Sequence, residues 1–538
     1  MCIRDSSISN ITMSKKKAEK FYRNWGQDYK LDLLKDIEDK KISFYTLGED
    51  QFTDLCRGPH VESTGEIKAI KLTRVAGAYW KGDEKNKMLT RIYGVAFETD
   101  QELEEYLQMM EEAEKRNHRK IGKEMELFAV FPEVGQGLPI WLPNGYIMRK
   151  TIENYMTSIE RKYGYEHILT PHINKKELFE TSGHLEFYKD SMYTPMKIDD
   201  EEYYLKPMNC PAGMMVYKMK TRSYRDLPMK IGESGTVYRY EKSGELHGLQ
   251  RVRGFTQNDA HIFCTPEQLE KEFMEVYEML IQFYEDVGFD NYKFYLATSD
   301  PDDEKYHFCG TKDRWNEAEE TLRRILKRNN VEYQEDIGEA AFYGPKLDIK
   351  AVNVFCKEDT ISTIQFDFNL PERFDLTYID DKGEKQVPYV IHRAIIGSYE
   401  RFFAFLIEYY GGAFPLWFAP QQAVIIPIST EKHLDYATDV YNRFKDLGLR
   451  VTLDDKDENL QSKIRKAELA KINYLLVVGD KEIESSTLSV RPQGGQNIGM
   501  IKVDELEGML VREIKSKGKY RIGDTDISEK DLTSSDVK

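Results

Sequence analysis

The chain has 538 residues, of which 40% are hydrophobic and 12% aromatic, enough to fold roughly two to four domains and to exclude general disorder. Its formal net charge of −16 disfavours a uniformly basic nucleic-acid-binding protein, although local basic patches are compatible with it. No run of about 18 apolar residues occurs and the N-terminus lacks the build of a secretory signal, so we expect a cytoplasmic protein with no membrane partner.

The N-terminal part of the chain predicts a β-rich region followed by a helical connector. Residues 1–12, MCIRDSSISNIT, form a leader, and between Lys41 and about Phe97 short β-like runs alternate with glycine turns. We therefore predict a domain at residues 13–98. Thr99 and Glu102 then form a T-x-x-E capping box, and apolar residues recur at helical spacing. A charged helix is expected to run past Arg116, within a connector at residues 99–123.

The rest of the chain predicts two further domains. Residues 124–417 mix strands with long helices, and the sequence from Thr265 to Gln268 predicts the start of a helix that Gly288 ends. Residues 418–520 alternate strands and helices in an order typical of a small α/β domain. The tail at residues 521–538 has almost no apolar content, so we expect it to be disordered.

The sequence contains neither of two common phosphate-binding patterns, G-x-G-x-x-G and G-x-x-x-x-G-K-[ST]. Arginine is the obvious alternative, because its planar guanidinium pairs bidentately with phosphate oxygens. The densest candidate segment, VYRYEKSGELHGLQRVRGFTQNDAHIF, predicts a strand, a long loop and a returning strand. Its charged and aromatic residues include Arg239, Glu241, Arg251, Arg253, Phe255, Asp259 and His261. By composition alone, a charged hairpin that faces solvent is the more common interpretation.

This segment resembles motif 2 of the class II aminoacyl-tRNA synthetases, specifically of the threonyl-tRNA synthetase family. GQGLPIWLPNG with the downstream TPHI resembles motif 1, with Pro171 as its proline, and IHRAIIGSYERF resembles motif 3, with Arg401. The resemblance extends from about Met13 to Lys517. It implies an α+β multidomain fold: a partial editing domain, the connector, a class II catalytic core built on an antiparallel sheet, and a C-terminal α/β anticodon-binding domain.

The resemblance implies a ligase that uses ATP to join L-threonine to tRNA(Thr) through a threonyl-adenylate. In this pattern Arg239 holds the α-phosphate and Arg401 the γ-phosphate. The other positions that match the ATP site are Glu241, Arg251, Phe255 and Ser398. Mg²⁺ would accompany ATP, and together with the arginines it would neutralise charge as the threonine carboxylate attacks the α-phosphate. Positioning and electrostatics carry such a reaction without a protein nucleophile.

The same resemblance implies a zinc ion that selects threonine. Valine is nearly isosteric with threonine, and an apolar pocket would separate the two by only about 10²-fold. A Zn²⁺ with three protein ligands leaves a position that threonine, with its amino and hydroxyl groups, can fill and valine cannot. The matching ligands are Cys210, His261 and His392. Spacing alone would miss them, since they lie on separate segments and a lone buried His or Cys is usually structural.

Further positions match the amino-acid pocket and the end of the tRNA. The residues that match the threonine pocket are Met208, Asp259, Tyr343, Lys346 and Gln365. Their ordinary interpretation is polarity in the core or at its rim. His184, in TSGHLEFYKD, matches a histidine near the terminal ribose of the tRNA, where it would relay a proton during transfer.

DLCRGPHVESTG resembles the second half of the family's editing site, with Cys56 and His60 at positions that help hydrolyse seryl-tRNA. No H-x-x-x-H segment precedes Cys56, so we expect either a sequence truncated at its front or a loss of editing. In the C-terminal domain, Lys481, Glu482 and Arg491 match the stretch that contacts the anticodon. A homodimer is expected because motif 1 usually builds a two-fold interface in this class.

Three segments depart from the family pattern. After Pro211 the family usually has a glycine or another residue followed by a histidine, whereas this chain has Ala212-Gly213. Where a tryptophan–glutamine pair is usual, the chain has Asp359-Thr360. DKDENLQSKIR also differs from the usual anticodon stretch. Because the tryptophan–glutamine pair would contact ATP, the second departure is expected to remove a contact on the ATP side.

Two alternatives to a threonine ligase stay open at this point. The first is a catalytically weakened paralogue that binds tRNA or another RNA as a regulator, and the second is a class II enzyme for another amino acid. Arg239, Arg401 and the three candidate zinc ligands are all present, which argues against the first alternative. The combination of the zinc ligands with GPHV and VAGAYWKGD argues against the second.

Overall fold

A computed structural model describes residues 6–49, 52–83, 85–300 and 309–523 of the chain. The chain divides into two compact units, Met1–Glu112 and Ala113–Lys538. The tail for which we predict disorder lies outside the described residues from residue 524 onward. Within the described ranges, no helix is both long enough and apolar enough to cross a membrane.

The first unit contains a small sheet packed on helices and a separate two-stranded ribbon. Its elements are β1 (Ile8–Ser14), α1 (Lys15–Asn24), α2 (Asp28–Lys35), β2 (Lys41–Leu47), β3 (Phe52–Leu55), β4 (Ala69–Tyr79) and β5 (Met88–Phe97). β1, β2 and β3 pair in that order and β4 pairs with β5, all antiparallel. Ile42 and Phe44 alternate along β2 with more exposed residues and pack against Tyr22 of α1. Residues 8–12 of the predicted leader thus form part of an edge strand.

The predicted connector is two helices rather than one. Helix α3 (Asp100–Lys115) begins with the predicted capping box, because the Glu102 N–H donates to Thr99 Oγ1 at 3.1 Å and the Thr99 N–H donates to the Glu102 carboxylate at 3.0 Å. The expectation of a continuous helix past Arg116 is wrong. Helix α4 (His118–Glu124) starts anew, since the Asn117 side chain caps it by accepting the Arg119 N–H at 3.0 Å.

The second unit contains the large antiparallel sheet that the sequence predicts. After α4 its elements are β6 (Phe128–Ala129), β7 (Ile140–Trp141), α5 (Pro143–Lys162), β8 (Glu166–His167), β9 (Ile173–Lys175), α6 (Lys176–Thr181), α7 (His184–Phe187), β10 (Met196–Ile198), β11 (Glu201–Leu205), α8 (Cys210–Lys218), β12 (Arg222–Ser223), β13 (Met229–Tyr238), β14 (Gly254–Cys264), α9 (Leu269–Val287), β15 (Tyr292–Thr298), α10 (Lys312–Arg328), β16 (Gln334–Ile337), β17 (Lys346–Val352), β18 (Glu358–Asp367), α11 (Leu370–Arg373), β19 (Tyr378–Ile379), β20 (Lys385–Gln386), β21 (Tyr389–Ile396) and α12 (Tyr399–Tyr410). Eight strands form one sheet in the order β16-β15-β17-β18-β21-β14-β13-β8. All its pairs are antiparallel except β15 with β16 and β13 with β8.

The two faces of this sheet have different roles. Along β14, Ala260 and Ile262 belong to the main hydrophobic core, to which helices α5, α9 and α12 also contribute. The intervening residues Asp259 and His261 point to the opposite face, because successive side chains of a strand alternate. One face is therefore committed to packing, and the other is available for polar side chains.

Helix α9 begins later than predicted. Residues 266–268 form a turn and the helix starts at Leu269, while the Gln268 side chain accepts the Thr265 N–H at 3.0 Å. The predicted end is confirmed, because Gly288 adopts the left-handed conformation with φ +67°.

A buried ion pair joins the sheet to helix α5. Arg393 of β21 donates to Glu160 of α5 at 2.5 Å and to Asn258 Oδ1 of β14 at 2.8 Å, and both charged side chains are almost fully buried. The Arg393 charge lowers the pKa of Glu160 against the opposing effect of burial. The pair thus holds α5 in place behind the two strands that carry the candidate site.

The C-terminal region is the predicted small α/β domain. Its elements are β22 (Ala423–Pro427), α13 (Thr430–Asp446), β23 (Val451–Leu453), α14 (Leu460–Leu469), β24 (Tyr474–Val478), α15 (Asp480–Ser485), β25 (Thr487–Pro492), β26 (Gly499–Lys502) and α16 (Val503–Lys515). The sheet order is β23-β22-β24-β25-β26, and β22 is parallel to both of its neighbours. Apolar residues of β22 and β24 fill cores on both faces of the sheet.

Candidate active site

Four candidate residues lie in one row across the central sheet. Lys346 of β17 is paired with Gln365 of β18, Gln365 with His392 of β21, and His392 with His261 of β14. Directly opposed residues of neighbouring strands point to the same face. The strand register therefore brings together side chains that are far apart in the sequence.

Cys210 completes a cluster with the two histidines. Its sulfur and the nearest ring nitrogens of His261 and His392 all lie within 4.8 Å of one another, and all three residues are buried. Cys210 is the first residue of α8, and the N-terminal end of this helix packs against the same part of the sheet. Three such donors are the ligand types that Zn²⁺ takes, and three ligands leave one tetrahedral position open.

The surroundings of the cluster fit a bound metal. His392 Nε2 contacts Asp367 Oδ2 at 2.8 Å, which leaves the Nδ1 lone pair free, and within the described residues neither His392 Nδ1 nor His261 Nε2 has a hydrogen-bond partner. Burial lowers the pKa of His261, which keeps this imidazole in the neutral form that binds metals. Gly213 lies against His261, where an added Cβ would be 3.2 Å from Nδ1. The Ala212-Gly213 departure thus leaves room beside the cluster.

A polar cavity lies beside the cluster, on the same face of the sheet. It is lined by Arg239, Glu241, Gln250, Arg251, Val252, Phe255, Gln257, Lys346, Asp348, Thr360, Ile361, Ser362, Thr363, Gln365, Gly397, Ser398 and Arg401. All six residues that match the ATP site are in this set, together with two that match the threonine pocket. The structure therefore joins the motif 2 and motif 3 residues in one place.

Backbone carbonyl groups orient the two arginines that match phosphate ligands. Arg239 Nε donates to the Pro207 carbonyl at 3.2 Å, and its guanidinium lies 5.0 Å from the centre of the Phe255 ring. Arg401 donates to the Gln250 carbonyl at 3.0 Å and to the Thr360 carbonyl at 2.9 Å. Burial lowers the pKa of Arg401, as expected for a cation held away from water.

The remaining ATP-site candidates are also fixed by short contacts. Arg251 Nε lies 3.1 Å from a carboxylate oxygen of Glu241. Ser398 caps helix α12 by accepting the Arg401 N–H at 3.2 Å. This cap places Arg401 in the first turn of the helix, facing the cavity.

The Asp359-Thr360 departure has a defined structural setting. The Gln250 side-chain amide donates to the Asp359 carboxylate. The Thr360 backbone carbonyl accepts a hydrogen bond from the Arg401 guanidinium, as the Gln250 carbonyl does. The Asp359 charge also opposes the effect of burial on the pKa of Arg401. The contact to Arg401 comes from the backbone at Thr360, so it does not depend on the side chain at that position.

The residues that match the threonine pocket lie beside the cluster or in the strand row that contains its histidines. Tyr343 lies with its ring centre 5.0 Å from that of His392, and its hydroxyl donates to the Gln365 side chain. Asp259 accepts a hydrogen bond from Asn209 at 3.0 Å, and Lys346 Nζ lies 2.5 Å from Asp348. Met208 packs against the hydrophobic group that contains Cys210 and Tyr343.

His184 is buried beside this pocket and does not line the cavity. Its Nδ1 contacts Ser182 Oγ at 2.8 Å, its ring centre lies 5.3 Å from that of Phe342, and its Nε2 has no hydrogen-bond partner within the described residues. Burial, with a smaller contribution from the Arg239 charge, lowers its pKa to about 3. The side chain is therefore neutral near pH 7.

The other candidates lie away from this constellation along the chain. In the first unit, Cys56 Sγ contacts His60 Nε2 at 3.1 Å, and both side chains are accessible to solvent. In the C-terminal domain, Lys481 is exposed and Glu482 accepts the Gly479 N–H at 3.0 Å, which gives it a capping role at α15. Arg491 Nε lies 3.4 Å from Glu468.

Several residues of the site were not predicted from the sequence. Gln257 lines the cavity and Asp367 holds His392, yet neither was a candidate. Strand alternation could have found both, because Gln257 lies two residues from Asp259 and Asp367 two residues from Gln365. Asp348 and Thr363 also line the cavity, and the same alternation on β17 and β18 places them beside Lys346 and Gln365.

Comparisons with known proteins identify the family to which the chain belongs. Residues 193–410 match the family described as the tRNA synthetase class II core domain for G, H, P, S and T. Residues 422–513 match an anticodon binding domain, and residues 42–93 match the second additional domain of threonyl and alanyl tRNA synthetases. The threonine–tRNA ligase of Geobacillus kaustophilus is 49% identical over 513 residues, which are 95% of this chain and 78% of that protein. The chain belongs to the threonyl-tRNA synthetase family.

Other relatives support the same assignment. Threonine–tRNA ligase 1 of Bacillus subtilis is 50% identical to this synthetase over 504 residues, covering 94% of this chain and 78% of its own. The RNA-binding domain of the Cryptosporidium parvum threonyl-tRNA synthetase superposes with a TM-score of 0.69 at 34% identity, over 76% of this chain and 100% of that chain. The ThrRS-1 protein of Aeropyrum pernix superposes with a TM-score of 0.65 at 32% sequence identity, over 75% of this chain and 97% of that chain. The chain is thus a class II threonine–tRNA ligase, which argues against the alternative of a class II enzyme for another amino acid.

The buried state of His184 predicts how acid destabilises the synthetase. In the unfolded chain its imidazole takes up a proton near the ordinary pKa of 6.5, whereas in the folded chain it does so only near 3. The unfolded state therefore binds more protons between these values, and the contribution of His184 to stability is lost as the pH falls below 6.5. We expect the Tm of His184→Gln, measured by calorimetry, to fall less between about pH 7 and about pH 5 than that of the wild type. Equal slopes of Tm against pH would contradict a neutral, buried His184.

Proposed function

We propose that the ligase reaction proceeds through a threonyl-adenylate formed in the polar cavity. Arg239 and Arg401 line one cavity together with Lys346 and Gln365, which share a strand row with His392, and this arrangement supports the proposal. ATP with Mg²⁺ would lie against the two arginines, with adenine stacked on Phe255. The threonine carboxylate would attack the α-phosphate and pyrophosphate would leave, while the fixed guanidinium groups stabilise the developing charge.

We also propose that zinc selects threonine in this synthetase. Cys210, His261 and His392 would hold the ion, which would offer an open position to the amino and hydroxyl groups of the substrate. Valine lacks the hydroxyl and could not complete this coordination. Three neighbouring residues would position the amino acid: Tyr343 lies beside His392 and contacts Gln365, and Asp259 accepts a hydrogen bond from Asn209, the residue before Cys210.

The zinc proposal predicts a joint loss of metal and activity. Cys210→Ser is expected to lower the zinc content from about one ion per chain and to lower threonine-dependent ATP–pyrophosphate exchange by at least about 100-fold, because the metal loses its thiolate ligand. Metal analysis and the exchange assay measure the two effects. Cys264→Ser is the matched control, since this second buried thiol lies on β14 outside the cluster. Wild-type zinc content and exchange in Cys210→Ser would contradict the proposal.

Transfer of threonine to tRNA(Thr) is proposed to use His184 as a proton relay. Its neutral imidazole and its Nε2 without a hydrogen-bond partner within the described residues support this role. Lys481, Glu482 and Arg491 are proposed to contact the anticodon, although Glu482 would do so while it caps α15. The proposed domains are an editing-type domain at 13–98, a connector at 99–123, the catalytic domain at 124–417 and the anticodon-binding domain at 418–520.

We propose that this chain removes serine from tRNA incompletely. Serine also carries a hydroxyl group, and the missing methyl discriminates by only about 1–3 kcal/mol, so a second hydrolytic site is needed to reject it. Cys56 and His60 form a close pair, but the sequence before Cys56 contains no histidine that could assist them.

This proposal predicts slow hydrolysis of seryl-tRNA(Thr) by the 538-residue chain. The deacylation rate of pre-charged seryl-tRNA(Thr) is expected to stay close to the uncatalysed rate, because the Cys56–His60 pair supplies only part of the site. Cys56→Ala is expected to change it little. Rapid deacylation by the wild-type chain that Cys56→Ala abolishes would refute the proposal.

A homodimer is proposed on the basis of the motif 1 region. Large apolar side chains are exposed there, among them Tyr146 and Leu169, the latter with 83% of its surface accessible. Such surfaces mark protein–protein contacts when they form a contiguous patch. The same segment would form an isologous interface with a second copy of the chain.

Sedimentation tests the dimer. The wild-type chain is expected to sediment with twice the mass of one chain, and Leu169→Glu is expected to shift the equilibrium towards the monomer, because a charge would be buried at the interface. Leu469→Glu is the matched control, since Leu469 is 70% exposed on α14. A monomeric wild-type chain, or equal effects of the two substitutions, would contradict the proposal.

A further inference from the structure

A buried histidine outside the proposed site contacts the loop that carries its arginines. His118 is the first residue of α4 and is completely buried. Its Nδ1 lies 2.6 Å from Glu408 Oε1 of α12, and its Nε2 accepts the Leu249 N–H at 3.2 Å. The histidine therefore connects a carboxylate on the core helix to the backbone of the loop between β13 and β14.

The contacts fix the tautomer of His118. A backbone N–H can only donate, so the nitrogen that accepts it, Nε2, must lack a proton. The proton then lies on Nδ1 and is donated to Glu408, whose other oxygen accepts the Val354 N–H at 3.3 Å. The carboxylate thus presents the lone pair of Nε2 to Leu249, in the way that a carboxylate orients a histidine in many functional sites.

The loop is shaped to receive this imidazole. Gly248 has φ +51°, a conformation that side chains rarely adopt, and a Cβ at this position would lie 2.1 Å from His118 Nε2. Because the ring packs directly against the loop backbone, a displacement of the imidazole would displace the loop.

The contact reaches the arginine that is proposed to hold the γ-phosphate. The backbone carbonyl of Gln250, the residue after Leu249, accepts a hydrogen bond from Arg401 Nε at 3.0 Å. Its side chain donates to Asp359 and accepts from Asn353 Nδ2 at 3.4 Å. Both Gln250 and Arg251 line the cavity. The loop segment held by His118 is therefore the segment that aims Arg401 and presents Arg251.

We propose that His118, oriented by Glu408, is a positioning residue for ATP in this synthetase. It acts through Leu249 and Gln250 on Arg401 and touches no reacting atom itself. The inference rests on the proposed function, in which Arg401 and Arg251 bind ATP. It predicts an effect on ATP and not on threonine, since among the described residues the hydrogen-bond and ring contacts of His118 are with Glu408, Leu249, Phe128 and His247, which lie outside the Cys-His-His cluster.

Two substitutions of His118 each preserve one of its two side-chain hydrogen bonds and remove the other. In His118→Asn the side-chain amide nitrogen can take the place of Nδ1 and keep the bond to Glu408, but nothing accepts the Leu249 N–H. In His118→Gln the amide oxygen can take the place of Nε2 and keep the bond to Leu249. We expect His118→Asn to raise the KM for ATP by about tenfold in the exchange assay, with the KM for threonine within about twofold of wild type. His118→Gln is expected to restore most of the ATP affinity.

A histidine in the C-terminal domain provides a matched control. His433 is buried, accepts the Ser429 N–H on Nδ1 at 3.0 Å and contacts Asp480 through Nε2 at 3.1 Å. His433→Asn therefore disturbs a similar carboxylate–histidine–amide arrangement outside the catalytic cavity. It is expected to lower Tm without changing the KM for ATP. If His118→Asn likewise lowers only Tm, or raises both KM values equally, the inference is overturned.

Further variants protect the test against misfolding and against an error in the ATP assignment. Should His118→Asn not fold, Glu408→Gln replaces it under the same criterion, because it removes the charge that orients the imidazole. Arg401→Ala tests the proposed function alone: an unchanged KM for ATP in that variant would refute the ATP site. A raised KM in Arg401→Ala with an unchanged KM in His118→Asn would refute only the role of His118. In a double variant that combines His118→Asn with Arg401→Ala, non-additive effects on the KM for ATP would support action of His118 through Arg401.

Discussion

The register between β14 and β21 is the constraint on which the candidate site depends, because it places His261 directly opposite His392. The same register continues through β18 and β17, where Gln365 and Lys346 extend the row on one face of the sheet. A slip of one residue between any two of these strands would turn one strand's side chains to the opposite face, which is packed on helices. The position of the donor atoms is therefore a property of the whole sheet.

The packing behind the sheet secures this register. The helix-facing side is a hydrophobic core, and within it the Arg393–Glu160 ion pair connects β21 to α5. Asn258 of β14 hydrogen-bonds to both members of this pair. Removal of one member of such a pair leaves a buried charge, at a cost of about 3–5 kcal/mol. On the other face, Asp367 orients His392, and Gly213 leaves space for His261. Both faces thus limit the movement of the same two strands.

The polar cavity follows a different principle, since main-chain groups orient its cations. Arg239 is held by the Pro207 carbonyl, and Arg401 by the carbonyls of Gln250 and Thr360. A carbonyl group is available whatever side chain the residue carries, so Asp359-Thr360 can differ from the usual pair without loss of this contact. The cavity depends instead on the path of the loop backbone, which His118 contacts at Leu249.

The sequence by itself determined the features that neighbouring residues decide. The capping box at Thr99, the strand–loop–strand of motif 2 and the alternating C-terminal domain were predicted from patterns a few residues long, and the structure contains all three. Only the tertiary structure decided that Asp367 contacts His392 and that Cys210 lies beside His261 and His392. In the sequence these three donors were recognised only through a family resemblance. Their convergence depends on the pairing of distant strands, and no local pattern encodes that pairing.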